Sequence, residues 1–143
     1  MLERGIFVVA LLALVIIIAQ IAKAQAHRRA ALSQGRVLPD DLRRRIATSD
    51  AAIAYFFGPH CGSCRQQGVV LDGLSRESGL TVVSIDATHE PELASALAVM
   101  TVPTTVLIDG THHVRAVNHG FRSRGALLTQ LGELALSPAS RAS

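Results

Sequence analysis

The chain is poor in aromatic residues and in cysteine. Its 143 residues include no tryptophan, one tyrosine and four phenylalanines. Proteins that bind single-stranded nucleic acid stack the bases on aromatic side chains, so we expect no nucleic-acid partner. The two cysteines, Cys61 and Cys64, are one C-x-x-C pair, and the six histidines form no second paired motif that could complete a tetrahedral zinc site. We therefore expect no metal and no bound cofactor.

Charge is absent from a long stretch near the beginning of the sequence. Residues 5–22 contain no charged residue and one amide, Gln20. As a helix, these residues would extend roughly 27 Å, close to the thickness of the hydrocarbon core of a bilayer. We predict that residues 1–22 form an N-terminal transmembrane anchor. The alternative is a cleaved secretory signal with residues 24–26 (AQA) as its cleavage site.

Basic residues cluster directly after this segment. Seven of the fourteen lysines and arginines lie between residues 23 and 45, whereas from residue 46 onward six arginines face eight acids. Because positive flanks tend to stay on the cytoplasmic side, this asymmetry favours a cytoplasmic location for the C-terminal domain, with the extracytoplasmic side as the alternative. Residues 23–36 are interpreted as a juxtamembrane linker, which either contacts anionic lipid or is simply solvated.

The rest of the chain alternates between helical and strand patterns. This order predicts an α/β domain over residues 37–137, with a mixed sheet of about four strands and helices on both faces, followed by a flexible tail over residues 138–143. The predicted helices are Asp40–Thr48, Cys61–Glu77, Glu90–Met100 and Ser123–Leu136. The predicted strands are Ala51–Phe57, Leu80–Asp86, Thr104–Ile108 and Val114–Val117, the last two forming a hairpin.

The cysteine pair lies where a buried strand is followed by a helix. The N-terminus of a helix carries a positive partial charge and unpaired N–H groups, which favour a thiolate over a thiol. A cysteine there has a pKa lowered from ~8.5 to between roughly 3.5 and 7.5, which makes Cys61 a candidate nucleophile. Cys64 lies one turn further on, within reach of a disulfide, and we expect it to be less exposed. So small a loop is a poor structural cross-link, and the pair is therefore interpreted as a reversible redox couple.

Several stretches together resemble the thioredoxin family over residues 37–137. FFGPHCGSCR (56–65) is similar to the active-site stretch of that family, and TVPTTVLIDG (101–110) to its cis-proline loop and following strand. The intervening VVSIDATHEPELASALAVM (82–100) resembles its strand and short helix, and Gly120 matches the glycine that lines its substrate groove.

The resemblance implies a role for each matching residue. Cys61 would be the nucleophile and Cys64 the resolving thiol, supported by Pro59, His60, Gly62 and Ser63. Pro103 would be a cis-proline beside the pair, and the Val102 backbone would bind the substrate as an added strand, next to Gly120. The implied partners are protein disulfide substrates, an upstream reductase or membrane electron donor, and a lipid bilayer contacted by residues 5–22. A monomer is expected.

The sequence departs from the family pattern at four positions near the thiols. His60 replaces the usual tryptophan, and Ser63 replaces the proline between the cysteines. Tyr55 stands where many thioredoxins have a buried acid, and Val82 where they have its lysine partner. Water or His60 would then have to accept the proton of Cys64. We expect the first strand of the family to be missing or reduced here to residues 37 and 38, which leaves about four strands.

Three functions remain open at this point. The first is a membrane-tethered thiol–disulfide oxidoreductase that reduces protein disulfides and serves cell redox homeostasis. The second is the same chemistry outside the cytoplasm, in cytochrome c maturation or on exported proteins, although such relatives usually carry an insertion that this chain lacks. The third is a non-catalytic binding or metal-holding module on the same fold. The pair His112–His113 is interpreted as an exposed hairpin end rather than a metal site.

Overall fold

The computed structural model describes residues 13–21, 38–46 and 51–136. Residues 13–21 form a helix, α1, whose residues are all exposed. The other helices are α2 (Asp40–Arg45), α3 (Gly62–Ser78), α4 (Pro91–Ala96) and α5 (Arg124–Leu136). The strands are β1 (Ala51–Phe57), β2 (Thr81–Asp86), β3 (Thr104–Asp109) and β4 (Val114–His119).

The predicted membrane segment is described only in part. Residues 5–12 and 22 of that segment lie outside the described residues, as do the linker 23–36 and the tail 138–143. In the described portions of the chain, no helix has both the length and the apolar character needed to cross a bilayer. The transmembrane anchor therefore stays a prediction.

The four strands form one mixed sheet in the order β2-β1-β3-β4. Strand β1 pairs with β2 in parallel and with β3 antiparallel, and β3 and β4 form the predicted antiparallel hairpin. The mixed four-stranded sheet inferred from the sequence is confirmed. At the position of the reduced first strand, Leu38 N–H donates one hydrogen bond to His112 O at 3.3 Å, and no strand is present in residues 38–46.

Side chains of β1 alternate between two hydrophobic cores, one on each face of the sheet. Ala52, Ala54 and Phe56 pack on the face covered by α2 and α4. Ile53 and Tyr55 pack on the opposite face, which α3 and α5 cover. A strand that is buried on both faces has a continuous apolar sequence, and residues 51–57 could therefore be predicted to form a strand.

Helix α3 joins the cysteine pair to the core. Its buried residues recur at helical spacing and are Cys64, Gln67, Leu71 and Leu74. The helix ends at Gly79, whose φ of 68° closes the last turn in the left-handed conformation that glycine adopts without steric cost.

Three details of the predicted helices need correction. The helix predicted over Glu90–Met100 ends at Ala96, because Ala98 adopts a left-handed φ of 57° and turns the chain. Met100 is consequently 59% exposed and not part of an apolar helix face. Leu128 in α5 and Val69 in α3 fit the apolar spacing of their helices, but both are exposed. The helix predicted to reach Thr48 ends at Arg45, with Ile46 as its C-cap, and residues 47 and 48 lie outside the described residues.

The packing of α3 predicts a large difference between two of its aliphatic residues. Leu71 is fully buried, whereas Val69, two positions earlier, is 67% exposed. We expect Leu71→Ala to lower the free energy of unfolding by about 2–5 kcal/mol, because it leaves a cavity in the core. Val69→Ala should change it by less than about 0.5 kcal/mol. Urea denaturation of both full-length variants measures the difference, and equal losses would contradict this orientation of α3.

Candidate active site

The two cysteines form a disulfide at the first turn of α3. Their Cα atoms lie 5.2 Å apart, and the pair follows the loop 58–60 that leads out of β1. Cys61 is the N-cap residue of α3 and is partly exposed, whereas Cys64 is 5% exposed. The expected difference in exposure between the two cysteines is confirmed.

The sulfur of Cys61 lies where a helix favours negative charge. Cys64 N–H donates a hydrogen bond to Cys61 Sγ at 3.2 Å, and Ser63 Oγ lies 3.6 Å from the same sulfur. The first turn of α3 carries no acidic residue that would oppose a thiolate. The helix terminus and these two groups would therefore stabilise an ionised Cys61 after reduction of the disulfide.

The residues that flank Cys61 are on the surface. Pro59, His60 and Gly62 are exposed, and His60 has a left-handed φ of 58°. Such a backbone conformation is uncommon for a residue with a side chain, and it gives the chain the sharp turn by which the end of β1 reaches the start of α3. The supporting roles assigned to these residues stay predictions.

The loop before β3 packs against the cysteine motif. The Val102–Pro103 peptide bond is cis, the geometry that the resemblance implies, and Pro103 is buried. Val102 packs in the same core cluster as both cysteines, and a Cβ built on Gly58 would lie 3.3 Å from Val102 Cγ2. Gly58 thus allows the close approach of the two segments.

Gly120 joins a third segment to this loop. Its N–H donates a hydrogen bond to Pro103 O at 2.7 Å, and its φ of 81° is a conformation that other residues rarely adopt. The structure thus brings the predicted substrate-binding residues, Val102, Pro103 and Gly120, into one region beside Cys61 and Cys64. Their role toward substrate stays a prediction.

Tyr55 occupies the position of the missing buried acid. Its hydroxyl donates a hydrogen bond of 2.5 Å to Cys64 O, and the residue is 6% exposed. Burial raises the pKa of the Tyr55 hydroxyl, and the negative charge of Asp72 raises it further. Tyr55 is therefore protonated at neutral pH and cannot accept a proton from Cys64.

An open groove of about 500 Å³ gives solvent access to the pair. Tyr55, Arg65 and Ser84 line it together with both cysteines, and none of its lining residues is a carboxylate. His60 also lines this groove, so both acceptors expected from the sequence, water and His60, have access to the pair.

Gln67 is a buried polar residue that our sequence analysis did not single out. Its side chain is fully buried, and it makes two hydrogen bonds with the backbone of Arg122: Arg122 N–H donates to Gln67 Oε1 at 2.6 Å, and Gln67 Nε2 donates to Arg122 O at 3.2 Å. The signal available in the sequence was an amide at a position of α3 where the helical spacing calls for an apolar side chain.

The described residues contain no group of three or more histidines, cysteines or acids arranged to hold a metal ion. In the hairpin between β3 and β4, His113 Nδ1 lies 3.0 Å from Thr111 Oγ1, and His113 N–H donates to Asp109 Oδ1 at 3.0 Å. Both the ring and the backbone N–H of His113 are therefore engaged within the hairpin turn.

Tyr55 is the only tyrosine of the chain, so its ionisation can be measured directly. We expect the folded protein to show a single tyrosinate transition above the ordinary pKa of ~10, and the chain in denaturant to show the ordinary value. Because the folded-state pKa is the higher one, this group stabilises the fold fully below pH ~10, and the contribution is lost as the pH rises through the folded pKa. Ultraviolet absorbance during a pH titration measures both states, and an unshifted transition in the folded protein would contradict the burial of this hydroxyl.

Comparison with known proteins agrees with the fold. The family described as "TraF: F plasmid transfer operon protein" matches residues 18–131. Thioredoxin of Bacillus subtilis (strain 168) is 38% identical over 84 residues, a match that covers 56% of this chain and 79% of that protein. The bifunctional thioredoxin reductase/thioredoxin of Mycobacterium leprae is 28% identical over 91 residues, but that match covers 62% of this chain and 20% of the larger protein.

Solved structures of thioredoxins are similar to this chain. A mutant thioredoxin from Halobacterium salinarum NRC-1 has a TM-score of 0.62 and 26% identity, and covers 68% of this chain and 87% of its own. Chloroplastic thioredoxin z has a TM-score of 0.59 and 25% identity, and covers 73% of this chain and 96% of its own. Since the TraF match extends over well more than half of the sequence, the chain belongs to the TraF family, and its similarity to the solved thioredoxin structure shows a thioredoxin-like fold.

Proposed function

We propose that the protein is a thiol–disulfide oxidoreductase that reduces disulfides of other proteins. The observation that carries the proposal is the Cys61–Cys64 disulfide at the N-terminus of α3, beside the cis peptide bond of Pro103. The similarity to thioredoxins supports the same chemistry. The physiological role would be the maintenance of thiol groups in the compartment where the domain lies.

The reaction transfers two electrons in two exchange steps. The thiolate of Cys61 attacks one sulfur of a substrate disulfide, and the other substrate sulfur leaves as a thiolate that takes a proton from solvent. Cys64 then loses its proton and attacks Cys61 Sγ, which forms the Cys61–Cys64 disulfide and releases the second substrate thiol. An external dithiol, supplied by an upstream reductase or a membrane electron donor, returns the pair to the reduced state.

Substrate would bind across the three segments that meet at the pair. The backbone of Val102 would pair with an extended stretch of the substrate, as in the addition of a strand. Pro103 and Gly120 would form the rest of this substrate-binding surface, where no side chain extends from the glycine. Because Tyr55 stays protonated, the proton of Cys64 would leave through the open groove to water or to His60.

The domain would be tethered to a membrane through residues 5–22. The exposed residues of α1 include Leu14, Val15, Ile16, Ile17, Ile18 and Ile21, which no core covers. The positive segment after residue 22 favours the cytoplasmic face. The alternative is that the same chemistry operates outside the cytoplasm.

Replacement of the resolving thiol, Cys64, should stop the reaction at the mixed disulfide between Cys61 and the substrate. With insulin as the disulfide substrate, we expect reduced Cys64→Ser to form a stable mixed disulfide through Cys61, because no second thiol can release it. Cys61→Ser should form none and should lose at least about a thousandfold in the rate of insulin reduction, because the residual thiol is buried. Non-reducing electrophoresis and mass spectrometry of the adduct measure both results.

The double variant Cys61→Ser/Cys64→Ser is the matched control for adducts that do not involve these thiols. The absence of an adduct with Cys64→Ser, together with unchanged insulin reduction by Cys61→Ser, would contradict the proposed function. It would instead favour a non-catalytic module.

Labelling of Cys61 should identify its compartment. In Cys64→Ser, Cys61 is the only thiol, and for a cytoplasmic domain we expect a membrane-impermeant maleimide to react with it only after the spheroplasts are lysed. The protein should sediment with the membranes and need detergent for release. Labelling in intact spheroplasts would contradict the cytoplasmic location and support the extracytoplasmic one, and recovery in the soluble fraction would contradict the anchor.

A further inference from the structure

Gln67 in α3 contacts the surface segment 120–122, and the role proposed below for this contact rests on the proposed disulfide reduction. Gln67 is the one polar residue in the buried stripe of α3, which otherwise consists of Cys64, Leu71 and Leu74. A buried amide without partners is costly, but here both the oxygen and the nitrogen of the side chain are used. Both bonds go to the backbone of a single residue, Arg122, 55 positions away in the sequence.

This pair of bonds holds one end of a short surface segment. The other end is held by the hydrogen bond from Gly120 N–H to Pro103 O. Between the two lies Phe121, whose side chain is 46% exposed although it is a large apolar group. The segment is thus fixed on one side to the helix that carries Cys64 and on the other to the cis-proline loop.

The neighbouring residues strengthen this arrangement without covering Phe121. Upstream, Asn118 in β4 and Gln130 in α5 exchange two amide hydrogen bonds, of 2.8 and 3.1 Å. Downstream, Ser123 Oγ accepts a hydrogen bond from Ala126 N–H at 3.3 Å at the start of α5. The backbone on both sides of the segment is therefore anchored, and the bonds of Gln67 are the ones that reach it from α3.

We propose that Gln67 is a positioning residue for protein substrates, because its two hydrogen bonds to Arg122 hold Phe121 where an apolar side chain of the substrate polypeptide packs on the phenyl ring. A small disulfide has no polypeptide to contact Phe121, so its reaction with Cys61 does not depend on Gln67. Gln67 touches neither sulfur in this scheme. It acts through the backbone of Arg122.

The test compares Gln67→Met with Gln66→Met in the full-length protein. Methionine keeps the length of the side chain and suits a buried site but cannot form either bond, and Gln66 is the exposed neighbour on the same helix. With dithiothreitol as reductant, we expect Gln67→Met to raise the KM for insulin about tenfold with kcat within about twofold, since the N–H and C=O of Arg122 lose their partner. Oxidation of the reduced variant by the small disulfide DTNB should stay within about twofold of wild type. Gln66→Met should match wild type in both assays.

Phe121→Ala tests the second half of the proposal. It should raise the KM for insulin to a similar extent, and the combination with Gln67→Met should be no worse than Phe121→Ala alone, because both changes remove the same contact. The inference would be overturned if the increases in KM of the two single variants multiply in the double variant. It would also be overturned if Gln67→Met slows the reactions with insulin and with DTNB by the same factor.

A second variant covers the case in which Gln67→Met does not fold. Gln67→Leu also removes both hydrogen bonds and leaves no charge in the buried site, so its KM for insulin should rise about tenfold while DTNB oxidation is unchanged. If wild type reduces insulin and Cys64→Ser traps it, an unchanged KM for insulin in every folded Gln67 variant would overturn the role of Gln67 but leave the proposed function intact. If wild type does not reduce insulin and Cys64→Ser does not trap it, both the proposed function and the role of Gln67 would be overturned.

Discussion

The placement of Cys61 Sγ at the N-terminus of α3 is the constraint on which the rest of the site depends. Its hydrogen bond from Cys64 N–H exists only because the helix begins at Cys61, and the helix begins there because the loop 58–60 turns sharply out of β1. The same turn brings Gly58 against Val102, since no side chain separates the two segments. One local change of direction therefore places both the nucleophile candidate and the cis-proline loop at the carboxyl end of the same strand.

Much of this arrangement could be predicted from the sequence because its signals are local. The apolar run 51–57, the C-x-x-C motif and the turn at Asp109 each lie within a few residues, and they correctly predicted β1, the start of α3 and the hairpin. The end of α4 could not be predicted in the same way. The pattern of Leu93, Leu97 and Met100 fits a helix, but Ala98 adopts a left-handed φ and Val99 N–H donates to Ala94 O, which ends the helix without any apolar signal.

Contacts between distant residues account for most of what the sequence did not reveal. Gln67 and Arg122 are 55 positions apart, and only the folded chain shows that an amide in an apolar stripe is satisfied by the backbone of another segment. The bond from Tyr55 to Cys64 O belongs to the same class. The sequence indicated that the buried acid was missing, but it could not indicate that the replacing hydroxyl would be used as a hydrogen-bond donor.

The replacement of an acid by Tyr55 separates two functions that a carboxylate in that position would combine. A buried carboxylate can accept a proton from the resolving thiol, but its charge must also be accommodated in the core. The Tyr55 hydroxyl is neutral, fills the space and fixes the backbone of Cys64, while burial and the charge of Asp72 keep its pKa raised. Proton transfer is then left to the open groove. The cysteine pair thereby has a neutral hydrogen-bond donor beside its buried sulfur in place of an internal base. In the proposed mechanism, the proton of Cys64 would leave through that groove to water or to His60 in the second exchange step.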